Sequence, residues 1–222
     1  MSFFIKIKTN TTNCIAGCVL FNDDNNFSYW EDKRETADEK FVYKYLNGLD
    51  FLENKRILHI GVGNSYIARN LKKFKNIDGI TLSNSELHFA KELNINKYNI
   101  FFQNKYSNFN ILCNDLNNYD IIIDVNIKSF SCCDSAFRSL FKKYSEMLNN
   151  NGTLIIGRDG MKWSRLIKPV ISFSFKNLFY KRLKEFDGPK SNYLNENDCL
   201  DLASKYNLDV DKTHDKLILF KK

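Results

Sequence analysis

Two glycines, Gly61 and Gly63, follow a short apolar segment and precede an amphipathic one. Because glycine has no side chain, the backbone N–H groups of such a turn can approach a ligand closely. The first turn of a following helix adds a partial positive charge, which favours anionic groups. The spacing therefore predicts a nucleotide-binding turn between a first strand over residues 56–60 and a helix over residues 66–74.

The sequence around this turn argues against two common nucleotide classes. A dinucleotide fingerprint needs a glycine three residues after Gly63, where this chain has Tyr66. It also expects an acid at the end of the second strand, which here reads Gly79-Ile-Thr-Leu-Ser83. The chain has no Gly-Lys-Ser or Gly-Lys-Thr sequence, so a P-loop for nucleoside triphosphates is also excluded.

Strand and helix patterns alternate from residue 56 onward, which predicts a parallel sheet with helices on both faces. The other predicted strands cover residues 77–82, 99–103, 119–125, 153–157, 208–212 and 216–220, and the other helices cover residues 85–93, 135–148 and 195–205. A short polar turn joins the last two strands, so they are expected to pair antiparallel. We predict a Rossmann-like, doubly wound α/β fold with a mostly parallel seven-stranded sheet and an antiparallel edge strand.

The sequence divides into an N-terminal cap segment, residues 1–55, and a core, residues 56–222, which carries a basic lid insertion at residues 160–192. Residues 160–190 contain eight Lys or Arg and two acids, so this segment has a net charge of +6 within a chain of net charge +7. This concentration indicates either an anionic ligand or a solvated basic surface.

Composition and cysteine usage favour a cytoplasmic protein. No apolar run approaches the ~20 residues of a membrane-spanning helix, and the N-terminus lacks the features of a signal peptide. The six cysteines include no Cys-x-x-Cys pair, so we predict buried free thiols and no metal site.

Four segments follow one another along the predicted core in a characteristic order. They are His59-Ile-Gly-Val-Gly-Asn-Ser65, Gly79-Ile-Thr-Leu-Ser83, Tyr119-Asp-Ile-Ile-Ile-Asp124 and Leu148-Asn-Asn-Asn-Gly-Thr-Leu-Ile-Ile156. They resemble the first, second and fourth motifs and the entry to strand five of class I S-adenosylmethionine-dependent methyltransferases. The second segment resembles the cyclopropane-fatty-acid and sterol branch, in which threonine replaces the usual acid. The resemblance covers about residues 56–157.

The resemblance implies S-adenosylmethionine as cofactor. By motif position, Gly61 and Gly63 would face its methionine part, Thr81 and Leu82 would lie beside its ribose, and Asn104 would lie near its adenine. The chain departs from the family at His59, Ser65 and Asn104, where an acid, a glycine and an acid are usual. The remaining predicted cofactor residues are His59, Asn64 and Ser65 of the turn, Asp124, and the N-terminal pair Tyr29 and Trp30, for which core packing is the alternative.

Three residues are candidates for catalysis. The resemblance places Asp124 and Asn126 beside the transferring methyl group, with a turn or helix cap as the alternative role. Asp159 follows the fifth strand on the ligand side of the sheet and is a candidate base, or else an ordinary turn residue. The sequence Asp124-Val-Asn-Ile127 lacks the Asn/Asp-Pro-Pro-Tyr motif of many DNA methylases, so DNA is not an expected acceptor.

The main hypothesis is a methyltransferase that acts on a small, anionic molecule, such as a phosphorylated metabolite or a sugar precursor of a surface polysaccharide. The alternative is a non-catalytic binding protein on the same fold, which would contact RNA or an acidic lipid surface through residues 160–192.

Overall fold

Residues 35–106, 119–128, 134–158 and 194–222 are described by the structure, a computed structural model. In these residues the strands are β1 (Arg56–Ile60), β2 (Asn76–Thr81), β3 (Tyr98–Phe102), β4 (Tyr119–Ile123), β5 (Leu148–Gly157), β6 (Asp209–Asp211) and β7 (Leu217–Lys221). The helices are α1 (Ala37–Asn47), α2 (Tyr66–Asn70), α3 (Asn84–Glu92), α4 (Asp134–Met147) and α5 (Glu196–Lys205), with a 3₁₀ turn at Leu52–Asn54.

The strands form one sheet in the order β3-β2-β1-β4-β5-β7-β6. The pairs from β3 to β5 are parallel, whereas β7 runs antiparallel to both β5 and β6. The predicted fold class, a doubly wound and mostly parallel seven-stranded sheet, is confirmed. The antiparallel strand β7 lies between β5 and the edge strand β6.

The sheet is buried on both faces, as its continuous apolar strands predict. Leu58 and Ile122 face a cluster built with α4 and α5, while Ile57 and Ile121 face a second cluster built with α1 and α2. Successive side chains of a strand point to opposite faces, so β1 and β4 each contribute to both clusters. The central strands are thereby fixed in position, and their carboxyl ends form a rigid edge.

Two predicted boundaries are wrong for identifiable reasons. The helix after β1 ends at Asn70 and not near residue 74, because Leu71 has an extended backbone. The segment over residues 149–152 is not a turn outside the sheet but part of β5, which begins at Leu148. Its backbone pairs with the end of the chain: the Asn151 N–H donates to the Lys222 carbonyl, and the Lys222 N–H donates to that of Gly152.

Parts of the predicted domain organisation lie outside the described residues. These are residues 1–34 of the cap segment and the whole lid insertion at residues 160–192. Within the cap segment, α1 begins at a complete capping box, in which Thr36 and Glu39 satisfy each other's backbone N–H groups. No described helix combines the length and the hydrophobicity that crossing a membrane would require.

Candidate functional site

The turn after β1 has the backbone conformation that its glycines predict. Gly61 and Gly63 have φ angles of +71° and +54°, in the left-handed region that favours glycine. The Gly61 N–H donates to the Ile80 carbonyl at 2.9 Å, which fixes the turn against β2. A Cβ atom added to Gly61 would meet no other part of the described chain within 4 Å. The hydrogen bond therefore holds the turn in place, and no described residue fills the side where a side chain of Gly61 would project.

Ser65 stands where the resembled first motif has its third glycine. Its backbone is left-handed, with φ of +59°, as a glycine there would allow. Its hydroxyl lies 2.9 Å from the Tyr98 hydroxyl of β3, and the residue is completely buried. Burial raises the pKa of Tyr98 to about 12, so this phenol stays protonated. Ser65 thus compensates for the missing glycine with a side-chain hydrogen bond that anchors the turn.

His59 is buried in β1, with 2% of its surface exposed, at the position where the resembled first motif has an acid. Burial lowers the pKa of its imidazole from 6.5 to about 4, so the ring is neutral at pH 7. Its Nδ1 atom has no hydrogen-bond partner among the described residues. A buried polar atom of this kind is unusual in a folded protein and is consistent with a ligand or water that completes the site.

The first turn of α3, just after β2, carries an acid that is not among the sequence-predicted site residues. The Thr81 hydroxyl donates a hydrogen bond to the Glu86 carboxylate in the first turn of α3, and it accepts one from the Ser83 N–H at 3.0 Å. Ser83 in turn accepts from the Glu86 N–H at 3.3 Å. Glu86 therefore brings a carboxylate to the place where the family usually has the acid of strand two. The sequence does contain a signal for this residue: Glu86 lies five residues after Thr81, within the capping sequence of α3.

Buried polar residues follow β3. The Gln103 N–H donates to the Thr81 carbonyl at 2.9 Å, and the Asn104 side chain accepts from the Tyr106 N–H at 2.9 Å. Lys105 lies between Asn104 and Tyr106 in the sequence, and only 6% of its surface is exposed. Asn104 is a predicted cofactor residue from its motif position, whereas Lys105 is not among the sequence-predicted site residues.

The end of β4 holds Asp124 in a buried ion pair. The Lys105 Nζ atom lies 2.9 Å and 3.2 Å from the two carboxylate oxygens of Asp124, and the Tyr144 hydroxyl donates to the same carboxylate at 2.9 Å. Burial lowers the pKa of Lys105, while the Asp124 charge opposes that shift. Burial raises the pKa of Tyr144 well above 10, and the neighbouring carboxylate adds to this effect, so its hydroxyl remains a donor.

The predicted residues that the structure describes gather at one edge. In a doubly wound sheet, ligands bind beside the carboxyl ends of the strands where the strand order reverses, which here is the boundary between β1 and β4. The described predicted residues at that edge are His59, Gly61, Gly63, Asn64, Ser65, Thr81, Leu82, Asn104, Asp124 and Asn126. Tyr29, Trp30 and Asp159 lie outside the described residues, so their roles stay predictions. Among the described residues no group of His, Cys, Asp and Glu could hold a metal ion.

Comparison with solved structures shows which proteins share this fold. An S-adenosylmethionine-dependent methyltransferase from Methanosarcina mazei is 18% identical, with 81% of this chain and 96% of that chain covered and a TM-score of 0.54. The N-methyltransferase NodS from Bradyrhizobium japonicum, solved with S-adenosyl-L-homocysteine, is 14% identical, with 91% and 94% covered and a TM-score of 0.55.

A third similar structure is magnesium protoporphyrin IX methyltransferase from Synechocystis, solved with S-adenosylhomocysteine bound. It is 13% identical, with 82% of this chain and 80% of that chain covered and a TM-score of 0.52. No protein-family model matches the sequence, and no curated protein is significantly similar to it. The chain thus has the fold of class I S-adenosylmethionine-dependent methyltransferases, as its sequence motifs predict.

Proposed function

We propose that this chain binds S-adenosylmethionine beside the turn over residues 61–65 and transfers its methyl group to a small-molecule acceptor. The observation that carries the proposal is the turn itself. Gly61 has a left-handed backbone at the carboxyl end of β1, and no described residue occupies the space that its missing side chain would fill. A ligand can therefore reach the backbone of the turn, which a side chain at this position would obstruct.

The proposed roles of the other residues follow from their chemistry. The carboxylate of Glu86, held by Thr81, can accept hydrogen bonds from ribose hydroxyls. The buried amide of Asn104 suits the polar edge of an adenine ring. The neutral imidazole of His59 offers a polar atom without adding a positive charge beside the cofactor's cationic sulfur. Leu82, Gly63, Asn64 and Ser65 complete the proposed contact set.

When bound, S-adenosylmethionine supplies an electrophilic methyl group that a nucleophile can accept by in-line displacement. The chain's part in such a reaction is to align the acceptor and, where the acceptor is a hydroxyl, to remove its proton. Asn126, in the segment after β4, is proposed to align the acceptor. Asp159 is proposed as the base. We assign Asp124 to the support of this segment, because both of its oxygens already accept hydrogen bonds.

The acceptor is proposed to be anionic. The support is the sequence of residues 160–190, where eight Lys or Arg oppose two acids. A cluster of cations beside a small-molecule site favours phosphate or carboxylate groups. The alternative function, a non-catalytic protein that binds RNA or acidic lipid through the same residues, does not require a cofactor and is separated by the following experiment.

Titration calorimetry with S-adenosylhomocysteine tests the cofactor site on the wild-type chain and on Gly61→Ala. The added methyl group would occupy the open space and strain the left-handed backbone, so we expect at least tenfold weaker binding. Gly48→Ala is the matched control, because Gly48 has φ of −90° and a Cβ there would make only ordinary contacts, 3.5 Å or more from other atoms. Its affinity should equal that of the wild type. Absence of binding by the wild type at millimolar ligand would refute the proposal.

A further inference from the structure

Lys105 is a buried lysine that joins two segments of the proposed site. Its Nζ atom lies within hydrogen-bond distance of the Asp124 carboxylate and also donates to the carbonyls of Asn126 and Ile127, at 2.9 Å and 3.1 Å. Tyr106 reinforces the junction, since its hydroxyl donates to the Ile127 carbonyl at 3.3 Å. The segment after β3 is thereby tied to the segment after β4 through side chain and backbone together.

The contacts of Lys105 go beyond what a single ion pair requires. A buried ammonium must be compensated by oxygen atoms, and here one carboxylate and two backbone carbonyls do so. The two carbonyls belong to the loop that follows β4. The hydrogen bonds therefore compensate the buried charge of the lysine and also fix the path of that loop. Asp124 is held at the same time by the Tyr144 hydroxyl of α4, so the carboxylate that anchors Lys105 is itself fixed in position.

The two joined segments would contact different parts of one ligand. Asn104 directly precedes Lys105 and is proposed to lie near the adenine, while Asn126 supplies one of the carbonyls and is proposed to lie near the methyl group. A ligand that spans both segments binds more tightly when their separation is fixed before it arrives, because it then does not have to order them.

We propose that Lys105 is a positioning residue that holds the adenine side and the methyl side of the cofactor site at a fixed separation, with Asp124 as its anchor. This inference rests on the proposed function. It adds a residue whose effect on the cofactor is indirect, through the segments on either side of it. Its loss should therefore weaken cofactor binding even in a variant that remains fully folded.

The test compares two double variants, each of which removes one buried lysine and its aspartate partner. Lys105→Met with Asp124→Asn removes the junction and leaves no uncompensated charge. Lys128→Met with Asp198→Asn is the matched control: Lys128 is also buried and lies 3.1 Å from Asp198, but it ties the loop after β4 to α5 and not to β3. S-Adenosylhomocysteine affinity is measured by calorimetry at a temperature where circular dichroism shows both variants to be folded.

We expect the Lys105 double variant to bind S-adenosylhomocysteine at least tenfold more weakly than the wild type, and the Lys128 double variant to stay within twofold. Equal affinities for the Lys105 variant and the wild type would overturn the positioning role alone. Equal losses in the two variants would also overturn it, because they would indicate a general effect of destabilisation. A wild-type chain that does not bind at all would overturn the proposed function, and this inference with it.

A second measurement uses only the wild-type chain. It tests the positioning role of Lys105 even if the Lys105 double variant does not fold. Hydrogen–deuterium exchange of the wild-type chain is recorded with and without S-adenosylhomocysteine. Because the junction fixes both segments before the ligand arrives, amides in residues 103–106 and 124–128 should already be protected in the free chain, and the ligand should add protection to both segments together. Protection confined to one of the two segments would contradict the coupling.

Discussion

His59 allows the burial of the proposed site to be measured through the pH dependence of stability. Its imidazole is buried and has a pKa of about 4, against 6.5 for the exposed group. The unfolded chain therefore binds more protons than the folded chain between these two pH values. The stability that this residue contributes is fully present above about pH 6.5 and is lost as the pH falls toward 4.

The size of the effect follows from the difference between the two pKa values. One pKa unit corresponds to ~1.4 kcal/mol, so a shift from 6.5 to about 4 gives at most about 3 kcal/mol. Between pH 7 and pH 5 only part of this range is crossed, and the expected loss of unfolding free energy from His59 is ~2 kcal/mol. The side chain is almost completely buried, so solvent screening does not reduce this figure greatly.

The assay is urea denaturation at pH 7 and pH 5 for the wild type and for His59→Leu, which replaces the titrating group with an apolar side chain of similar size. The difference in unfolding free energy between the two pH values should be ~2 kcal/mol smaller in the variant, because its folded state no longer excludes a proton. His88→Gln is the control, since His88 is exposed and its ion-pair partner among the described residues is Glu92 in α3. If the wild type and His59→Leu lost equal stability, the reasoning about burial at this position would be wrong.

Two further predictions concern the anchor and the ribose side of the site. Tyr144→Phe should lower the unfolding free energy by ~2 kcal/mol at pH 7, because a buried hydrogen bond to the charged Asp124 is lost; an unchanged urea midpoint would contradict this. Glu86→Ala should weaken S-adenosylhomocysteine binding about tenfold in calorimetry, since hydrogen bonds to a charged group contribute 1.5–3 kcal/mol, or roughly a factor of ten or more. Glu92→Ala, an exposed acid at the end of the same helix, should bind as the wild type does, and equal losses in both variants would argue against a ribose contact.

The central part of the fold could be predicted because its signals are local. The bounds of β1 agree with the prediction, since an apolar run that ends at a glycine marks both the strand and its end. The helix after residue 195 also begins as predicted, because Asn195 provides a side-chain cap for the Asp198 N–H at 2.8 Å. Patterns of this kind are determined by residues that are close in the sequence, so they can be recognised without knowledge of distant contacts.

The start of β5 could not be predicted because distant residues determine it. Four consecutive polar or glycine residues, 149–152, have the composition of a turn, and Asn151 does adopt a positive φ of 67°. Their backbone nevertheless pairs with Lys222, about 70 residues further along the chain, and Asn149 also donates to Asp120 at 3.0 Å. Tertiary pairing here overrides a local preference for a turn, as it often does at the ends of strands.

The candidate site shows the same division between local and distant information. The glycine turn follows from the types of neighbouring residues, and the structure gives it the predicted backbone. The partners of Asp124 do not follow in this way, because Lys105 lies 19 residues earlier and Tyr144 lies 20 residues later. A single lysine after a predicted strand has no periodic signal, and lysine is usually exposed, so only the folded structure reveals that this one is buried.

The ion pair also bears on which group could remove a proton from a methyl acceptor. The oxygens of Asp124 already accept hydrogen bonds from the Lys105 ammonium and the Tyr144 hydroxyl. For Asp124 to take a proton from an acceptor, the contact with Lys105 would have to weaken, which would leave a buried ammonium with only backbone carbonyls. That cost disfavours Asp124 as the base and favours a residue outside this network. Asp159, which follows β5 closely in sequence, stays the sequence-predicted candidate for that base.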